Sequence, residues 1–325
     1  MAPRWSWDFE DDRRAAPAPS KPGPPGPPSG GPPHEPRPGR RAVQIRRRRL
    51  AAALLLAVVV VLAVIATAGS SGGNHKRPAT ARTGPSVARA AKPPQTEQDA
   101  LAAVRSVLAY TPFVKQGSAR ARDIALTFDD GPGPYTIELL NVLERYRVKA
   151  TFFVIGKMLQ YFSPATEREI RDGDVIGDHT ETHPFMATLS AHDQYEELFE
   201  QLARIELLGG RRPTLFRPPY GSFNATTMKE LAKLHLLMVL WSVDTEDYLQ
   251  PGVSVIVERA LAGAHPGAII LMHDAGGTRT QTIEALPLII TKLRAEGYHL
   301  VTIPRLLLDD PPPHGEPLPP NLSGD

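Results

Sequence analysis

The run IALTFDDGPG, residues 124–133, carries five residues fit for a buried strand into two adjacent carboxylates and a Gly-Pro-Gly turn. A short apolar run closed by turn formers reads as a β-strand. The same arrangement recurs along the chain. ATFFVIG (150–156), DVIG (174–177), TLFR (214–217), LLMVLWSV (236–243), AIILMH (268–273) and YHLVTI (298–303) read as six more strands. Between them, 136–146, 164–172, 192–208, 225–234, 253–263 and 280–296 read as helices. In 192–208, Tyr195, Leu198, Phe199, Leu202 and Ile205 share one side at helical spacing. Seven strands alternating with six helices imply a parallel α/β architecture, either an open doubly wound sheet or a closed barrel.

The polar clusters separate these two. DDGPG, DHTETHP (178–184), RPPYG (217–221), DTEDY (244–248) and HDAGG (273–277) follow the first, third, fourth, fifth and sixth strands. A (β/α) barrel builds its site from the carboxyl ends of many strands, whereas an open sheet concentrates it at one switch point. No glycine-rich phosphate loop follows any strand. The expectation is a seven-stranded barrel over about 118–308, with a helical lead-in at 96–117 and a Pro-rich tail at 309–325.

The segment ahead of it differs in kind. Residues 17–38 hold eleven prolines, and 1–49 as a whole read as a disordered Pro/Arg-rich arm. LAAALLLAVVVVLAVIATA (50–68) has nineteen uncharged residues, the length of a membrane span. Arg37, Arg40, Arg41 and Arg46 to Arg49 precede it, against Lys76, Arg77 and Arg82 after it. The positive-inside bias makes it a single transmembrane signal anchor in membrane lipid, with a cytoplasmic amino terminus and an extracellular main domain. Cleavage at the A-x-A site ending at Ala68, which would release a secreted domain, is the alternative. Residues 69–95 read as a flexible linker. The chain has 325 residues, a net charge of +2 and no cysteine. That balance argues against nucleic acid as a partner, and thiolate metal sites and cysteine nucleophiles are excluded. A protein partner for the amino-terminal arm stays unknown.

His179 and His183 stand four apart, so on a helical turn both rings can reach one metal ion, with a surface or core coincidence of two histidines as the plainer alternative. A carboxylate from the first strand completes three ligands and leaves a position for water. Such nitrogen and oxygen donors suit Zn²⁺, with Co²⁺, Ni²⁺ or Mn²⁺ as alternatives. Asp129 and Asp130, adjacent at a strand end, point different ways, so one can ligate and the other act as base; a solvated turn is the plainer alternative. Arg217 can hold a carboxylate ionised or form a surface ion pair. His273 sits at the rim of the core, and Asp244 and Asp247 can orient either Arg217 or His273.

TFDDG, HTETH, RPPYG, DTEDY and LMH follow the order and approximate spacing of five motifs. In this, about 120–305 resembles the NodB-homology polysaccharide deacetylases, carbohydrate esterase family 4. The resemblance implies a deformed (β/α)7 barrel that removes acetyl groups from sugars, most often in N-acetylglucosamine polymers. It implies Asp130, His179 and His183 as metal ligands, Asp129 as general base and Arg217 as its partner. It further implies His273 as general acid, oriented by Asp247, with Leu271 lining the acetyl pocket and Tyr220 giving a backbone N–H to the oxyanion. The family usually has tryptophan where this chain has Tyr248, which puts substrate preference in doubt. The expected substrate is an acetylated polysaccharide, peptidoglycan above all. Chitin oligomers and O-acetylated xylan suit the same machinery. A silent glycan-binding protein and a non-haem iron oxygenase are rivals from other classes.

Overall fold

The computed structural model describes residues 96–322. The arm, the apolar run 50–68 and the linker lie outside the described residues; among those described, no helix is long and apolar enough to cross a membrane. Helix α1 (Glu97–Leu108) forms most of the lead-in, started by a capping box in which Thr96 and Asp99 satisfy each other's backbone N–H. The strands are β1 (Phe113–Val114), β2 (Asp123–Asp129), β3 (Thr151–Val154), β4 (Val175–Asp178), β5 (Leu215–Phe216), β6 (Leu237–Val239), β7 (Val243–Asp244), β8 (Ile269–His273) and β9 (His299–Val301). The further helices are α2 (Thr136–Tyr146), α3 (Gly156–Asp172), α4 (Ala191–Leu207), α5 (Ala225–Leu234), α6 (Val253–Ala262), α7 (Thr280–Ala295) and α8 (Ile303–Asp309).

The sheet runs β1-β6-β5-β4-β3-β2-β8-β7, with β9 added to β2, and every strand pair is parallel. Ala125 is in register with both Ile269 of β8 and Val301 of β9, so β8 and β9 flank β2 on opposite sides. The sheet curls into a half-barrel, and one seam departs from the expected ring. The run 236–243 is not a single strand. It divides into β6, which lies between β1 and β5, and β7, which pairs with β8 at the opposite margin, and Leu240–Trp241–Ser242 carries the chain from one to the other. The curled parallel sheet fits a (β/α) barrel, with nine strands in place of seven.

Period-two alternation places the site. In β2, Ile124, Leu126 and Phe128 join the cluster under α2, α6 and α7, whereas Ala125 belongs to the interior cluster that α1 and α8 close from below. Asp129 therefore shares the interior face with Ala125 and Thr127. Leu126 and Phe128 are fully buried, each worth about 1.5–3 kcal/mol relative to exposure.

Other boundaries moved for identifiable reasons. Helix α3 begins at Gly156, not 164; its φ/ψ break at Phe162 puts Pro164 in the first turn of the second half, where proline is tolerated. The run 298–303 leaves the sheet at Val301 and turns into α8, with Pro304 in its first turn. In α4 the buried residues are Gln194, Leu198, Gln201, Leu202 and Ile205, while Tyr195 and Phe199 stack on each other nearer the surface. Gln201 Nε2 donates to Val154 O, and Gln194 Nε2 donates to Leu189 O, which explains two amides on a buried face.

Candidate active site

Asp129 ends β2, and Asp130 adopts a left-handed backbone with φ of 73°. That conformation, which aspartate tolerates better than most residues, turns both carboxylates toward one place. His179 Nε2 lies 3.8 Å from Asp129 Oδ2 and 3.5 Å from Asp130 Oδ1, and His183 Nε2 lies 3.1 Å from Asp130 Oδ1. The expectation that adjacent acids must diverge does not hold here, because the positive φ reverses the alternation.

The histidines do not sit on a helix. They occupy the loop after β4, where Thr180 and His183 have φ of 69° and 67°. Side chains build this loop. Asp178 Oδ1 accepts from Thr180 N at 2.7 Å, Thr180 Oγ1 accepts from His183 N at 2.9 Å, and Glu197 accepts from both the N and the hydroxyl of Thr182. The two left-handed residues bring the rings to 4.9 Å between centroids. His179 Nδ1 is 2.7 Å from Arg217 O, a contact that fixes Nδ1 as the donor and leaves Nε2 with a lone pair for the site.

Arg217, fully buried at the end of β5, binds Asp129 Oδ1 at 2.8 Å through Nη1. The same nitrogen donates to Thr127 Oγ1 at 2.8 Å, and Nε and Nη2 donate to Val239 O and Leu240 O. Its guanidinium lies 4.2 Å over the Phe153 ring. It is therefore an interior ion pair, not a surface one. Burial lowers the pKa of Arg217, and Asp129 pushes it back up.

His273 ends β8 and pairs with Asp247, from a 3-10 turn at Asp247–Leu249. Asp247 Oδ1 is 2.8 Å from His273 Nδ1, and Oδ2 accepts from His273 N at 2.9 Å and from Thr282 Oγ1 at 2.6 Å. Burial alone would lower the His273 pKa, but Asp247, by charge and hydrogen bond, and Asp130 push it up to about 9. Burial would raise Asp247, yet His273, Arg279 and Thr282 bring it below the usual carboxylate value. Asp244, the other candidate, accepts from Glu246 N and orients neither. Tyr248 meets His273 edge-on at 5.3 Å, Leu271 is buried on β8, and Tyr220 has φ of 58° with its ring 4.6 Å from His183 and stacked on Phe185.

Several buried polar residues of this region escaped sequence reasoning. Thr282 supports Asp247. Asp274 donates its backbone N–H to Asp129 O and accepts from the Thr136 hydroxyl. Arg279, also buried, threads its guanidinium into the carbonyls of Ala275, Gly276 and Thr278. The signal was present in HDAGGTRTQT (273–282), a polar stretch after a strand whose later members carry no motif of their own.

One ligand atom each from Asp130, His179 and His183 lie within 4.8 Å of one another, and all three residues are buried. Burial would raise Asp130, but His183 and His179 hold it well below the usual carboxylate range; burial lowers His183 despite Asp130. One carboxylate and two imidazoles are the donor set of a catalytic zinc-type site. No glycine side chain intrudes: a Cβ on Gly276 would come within 2.3 Å of Asp130 Oδ2.

The polysaccharide deacetylase family model matches residues 116–239. The chain is 39% identical over 184 residues to the peptidoglycan-N-acetylglucosamine deacetylase PgdA of Listeria monocytogenes, covering 56% of this chain and 38% of that protein. It thus spans well under half the length of this relative. It is 35% identical over 213 residues to a chitooligosaccharide deacetylase of Rhizobium leguminosarum bv. trifolii, covering 62% of this chain and 99% of that one. The crystal structure of the Bc1960 peptidoglycan N-acetylglucosamine deacetylase, in complex with 4-naphthalen-1-yl-N-oxidanyl-benzamide, aligns with TM-score 0.59 and 32% identity, over 62% of this chain and 95% of that one. A match along nearly the full length of a relative, added to the shared sheet, makes the chain a member of the polysaccharide deacetylase family, the NodB-homology fold of carbohydrate esterase family 4.

Proposed function

We propose that the protein hydrolyses the N-acetyl group of N-acetylglucosamine units in an extracellular polysaccharide, with peptidoglycan as the substrate. The observation that carries this is one arrangement: Asp129, ion-paired to Arg217, faces the Asp130–His179–His183 group, and a separate His273–Asp247 pair stands near it. Amide hydrolysis needs an activated water, a sink for oxyanion charge and a proton for a poor leaving group.

Asp130, His179 and His183 would hold a divalent ion, with Zn²⁺ the best fit to the donors. When bound, the ion supplies polarisation of the acetyl carbonyl and a lowered pKa for water. Asp129 takes a proton from the attacking water as its oxygen bonds the acetyl carbon. Arg217 holds that carboxylate in an ion pair and fixes its direction. The Tyr220 N–H donates to the oxyanion. Leu271 lines the acetyl methyl pocket and Tyr248 walls the sugar side. His273, held protonated by Asp247, gives its Nε2 proton to the nitrogen as the carbon–nitrogen bond breaks, leaving acetate and a free amine. A chitin-type oligomer and an O-acetylated xylan are further candidates for the same residues.

Residues 50–68 are proposed as an uncleaved membrane anchor that presents the domain outside the cell. Protease shaving of intact cells tests it: loss of the 96–322 region with retention of the amino-terminal arm is the expected result, and full protection would reject it. The activity is tested by acetate release from peptidoglycan, chitin oligomers and acetylated xylan, each with and without chelator. Chelator-sensitive release from the peptidoglycan is expected; a folded, metal-loaded protein that releases none from any substrate would reject the reading.

A further inference from the structure

The Pro-rich tail is a built part of the domain. From Asp310 to Leu322 it holds six prolines, and it is pinned along its length. Asp310 accepts from Ser118 Oγ and Arg120 N, in the segment leading into β2. Tyr110 donates its hydroxyl to Pro312 O at 2.8 Å and stacks on the His314 ring at 3.8 Å, and Lys115 pairs with Glu316 at 2.7 Å. The last described residues of the tail lie at the turn that follows β5. There Leu322 N donates to Gly221 O at 3.1 Å, and Asn321 Oδ1 accepts from Phe223 N at 3.2 Å. The tail thus runs from the amino-terminal edge of the sheet to its carboxyl-terminal edge, where the candidate site lies. Prolines restrict the unbound ensemble, so ordering such a segment costs less entropy than ordering a flexible one.

The turn it meets is Pro218-Pro219-Tyr220-Gly221, in which Tyr220 and Gly221 are both left-handed, at φ of 58° and 70°. A left-handed tyrosine is strained unless its surroundings hold it. On one side the Tyr220 ring is clamped by Phe185 and His183. On the other, Leu322 rests so close to Gly221 that a Cβ there would come within 2.6 Å of Leu322 Cβ. We propose that Asn321 and Leu322 are positioning residues for Tyr220, locking the turn so that its backbone N–H stays aimed at the reacting carbonyl. The role given to Tyr220 rests on the deacetylase reading; the locking itself does not. A donor that serves only the transition state affects kcat more than KM, and a misplacement of about 1 Å can cost roughly a hundredfold.

The test compares the full chain with three variants: truncation after Pro317, Leu322→Pro, which deletes the donated N–H, and Asn321→Leu. Asn321→Asp, which keeps an acceptor oxygen, is the rescue. The upstream pins at Tyr110, Lys115 and Ser118 stay in place in all four. With chitin oligomers and added Zn²⁺, the three variants should lose about tenfold or more in kcat, with KM little changed, and Asn321→Asp should restore it. Hydrogen exchange of the 218–224 peptide should rise in the truncated chain. Unchanged kcat in an active protein overturns the proposal. If the unaltered, zinc-loaded chain releases no acetate from peptidoglycan, chitin oligomers or acetylated xylan, the deacetylase reading fails, and the exchange measurement alone decides the locking: unchanged protection of 218–224 overturns it.

Discussion

Asp247 grips His273 twice: one carboxylate oxygen meets Nδ1 at 2.8 Å, and the other takes the same residue's backbone N–H at 2.9 Å. In the metal-free protein, an NMR titration should find His273 protonated to about pH 9. With Asp247→Asn, burial is left to act and the value should drop below that of an ordinary histidine. The folded value lies above the unfolded one, so the stability contributed by the His273 proton is complete below about pH 6.5 and disappears as pH rises through about 9, while the depressed Asp247 contributes fully only above the ordinary carboxylate range. A His273 that titrates near 6.5 in the unaltered protein would contradict this account.

Asp129→Asn keeps an oxygen toward Arg217 but removes the base. Acetate release should fall about 10²–10⁴-fold while the thermal midpoint changes little. Arg217→Met should instead destabilise by about 3–5 kcal/mol, since it strands a buried carboxylate beside four lost hydrogen bonds. Denaturant unfolding separates the two cases, and equal stability loss in both would refute the distinction.

Gly276→Ala places a methyl where Asp130 Oδ2 stands, at a backbone φ of 72° that alanine also resists. Zinc affinity, measured by competition with a chromophoric chelator, should fall at least tenfold, because Asp130 must move. His179→Ala should lose more. In the unaltered protein, Zn²⁺ at about a hundred times its dissociation constant should add about 2.7 kcal/mol of stability, which chelation removes. An unfolding curve indifferent to zinc would sink the proposed site.

Tyr248→Trp tests the departure from the family pattern. The ring touches His273 edge-on and belongs to no ligand set. The expected outcome is a change in KM ratios among chitin oligomers, peptidoglycan and acetylated xylan of about threefold or more, with metal affinity untouched. Unchanged ratios would show that this wall does not select the sugar.

Much of this was legible beforehand because parallel strands buried on both faces read as apolar runs, and five of the seven runs here ended in a polar cluster. The helices at 136–146 and 225–234 matched the structure at both ends. What periodicity could not show was backbone handedness. The His179–His183 spacing suggested a helical turn, but two left-handed residues in a loop bring the rings together. Adjacent Asp129 and Asp130 suggested divergence, and one positive φ removed it. Thr282 and Arg279 stayed hidden because their work is done through Asp247 and loop carbonyls, at separations no local pattern encodes.

The seam at Leu240–Ser242 has a consequence for engineering. Two of the carbonyls at this break, Val239 O and Leu240 O, are taken by Arg217, the same side chain that holds the proposed base. A designer grafting this chemistry onto a regular eight-stranded scaffold would carry over the acids and histidines and still lack a socket for the guanidinium. The discontinuous strand would have to be transplanted with the residues it serves.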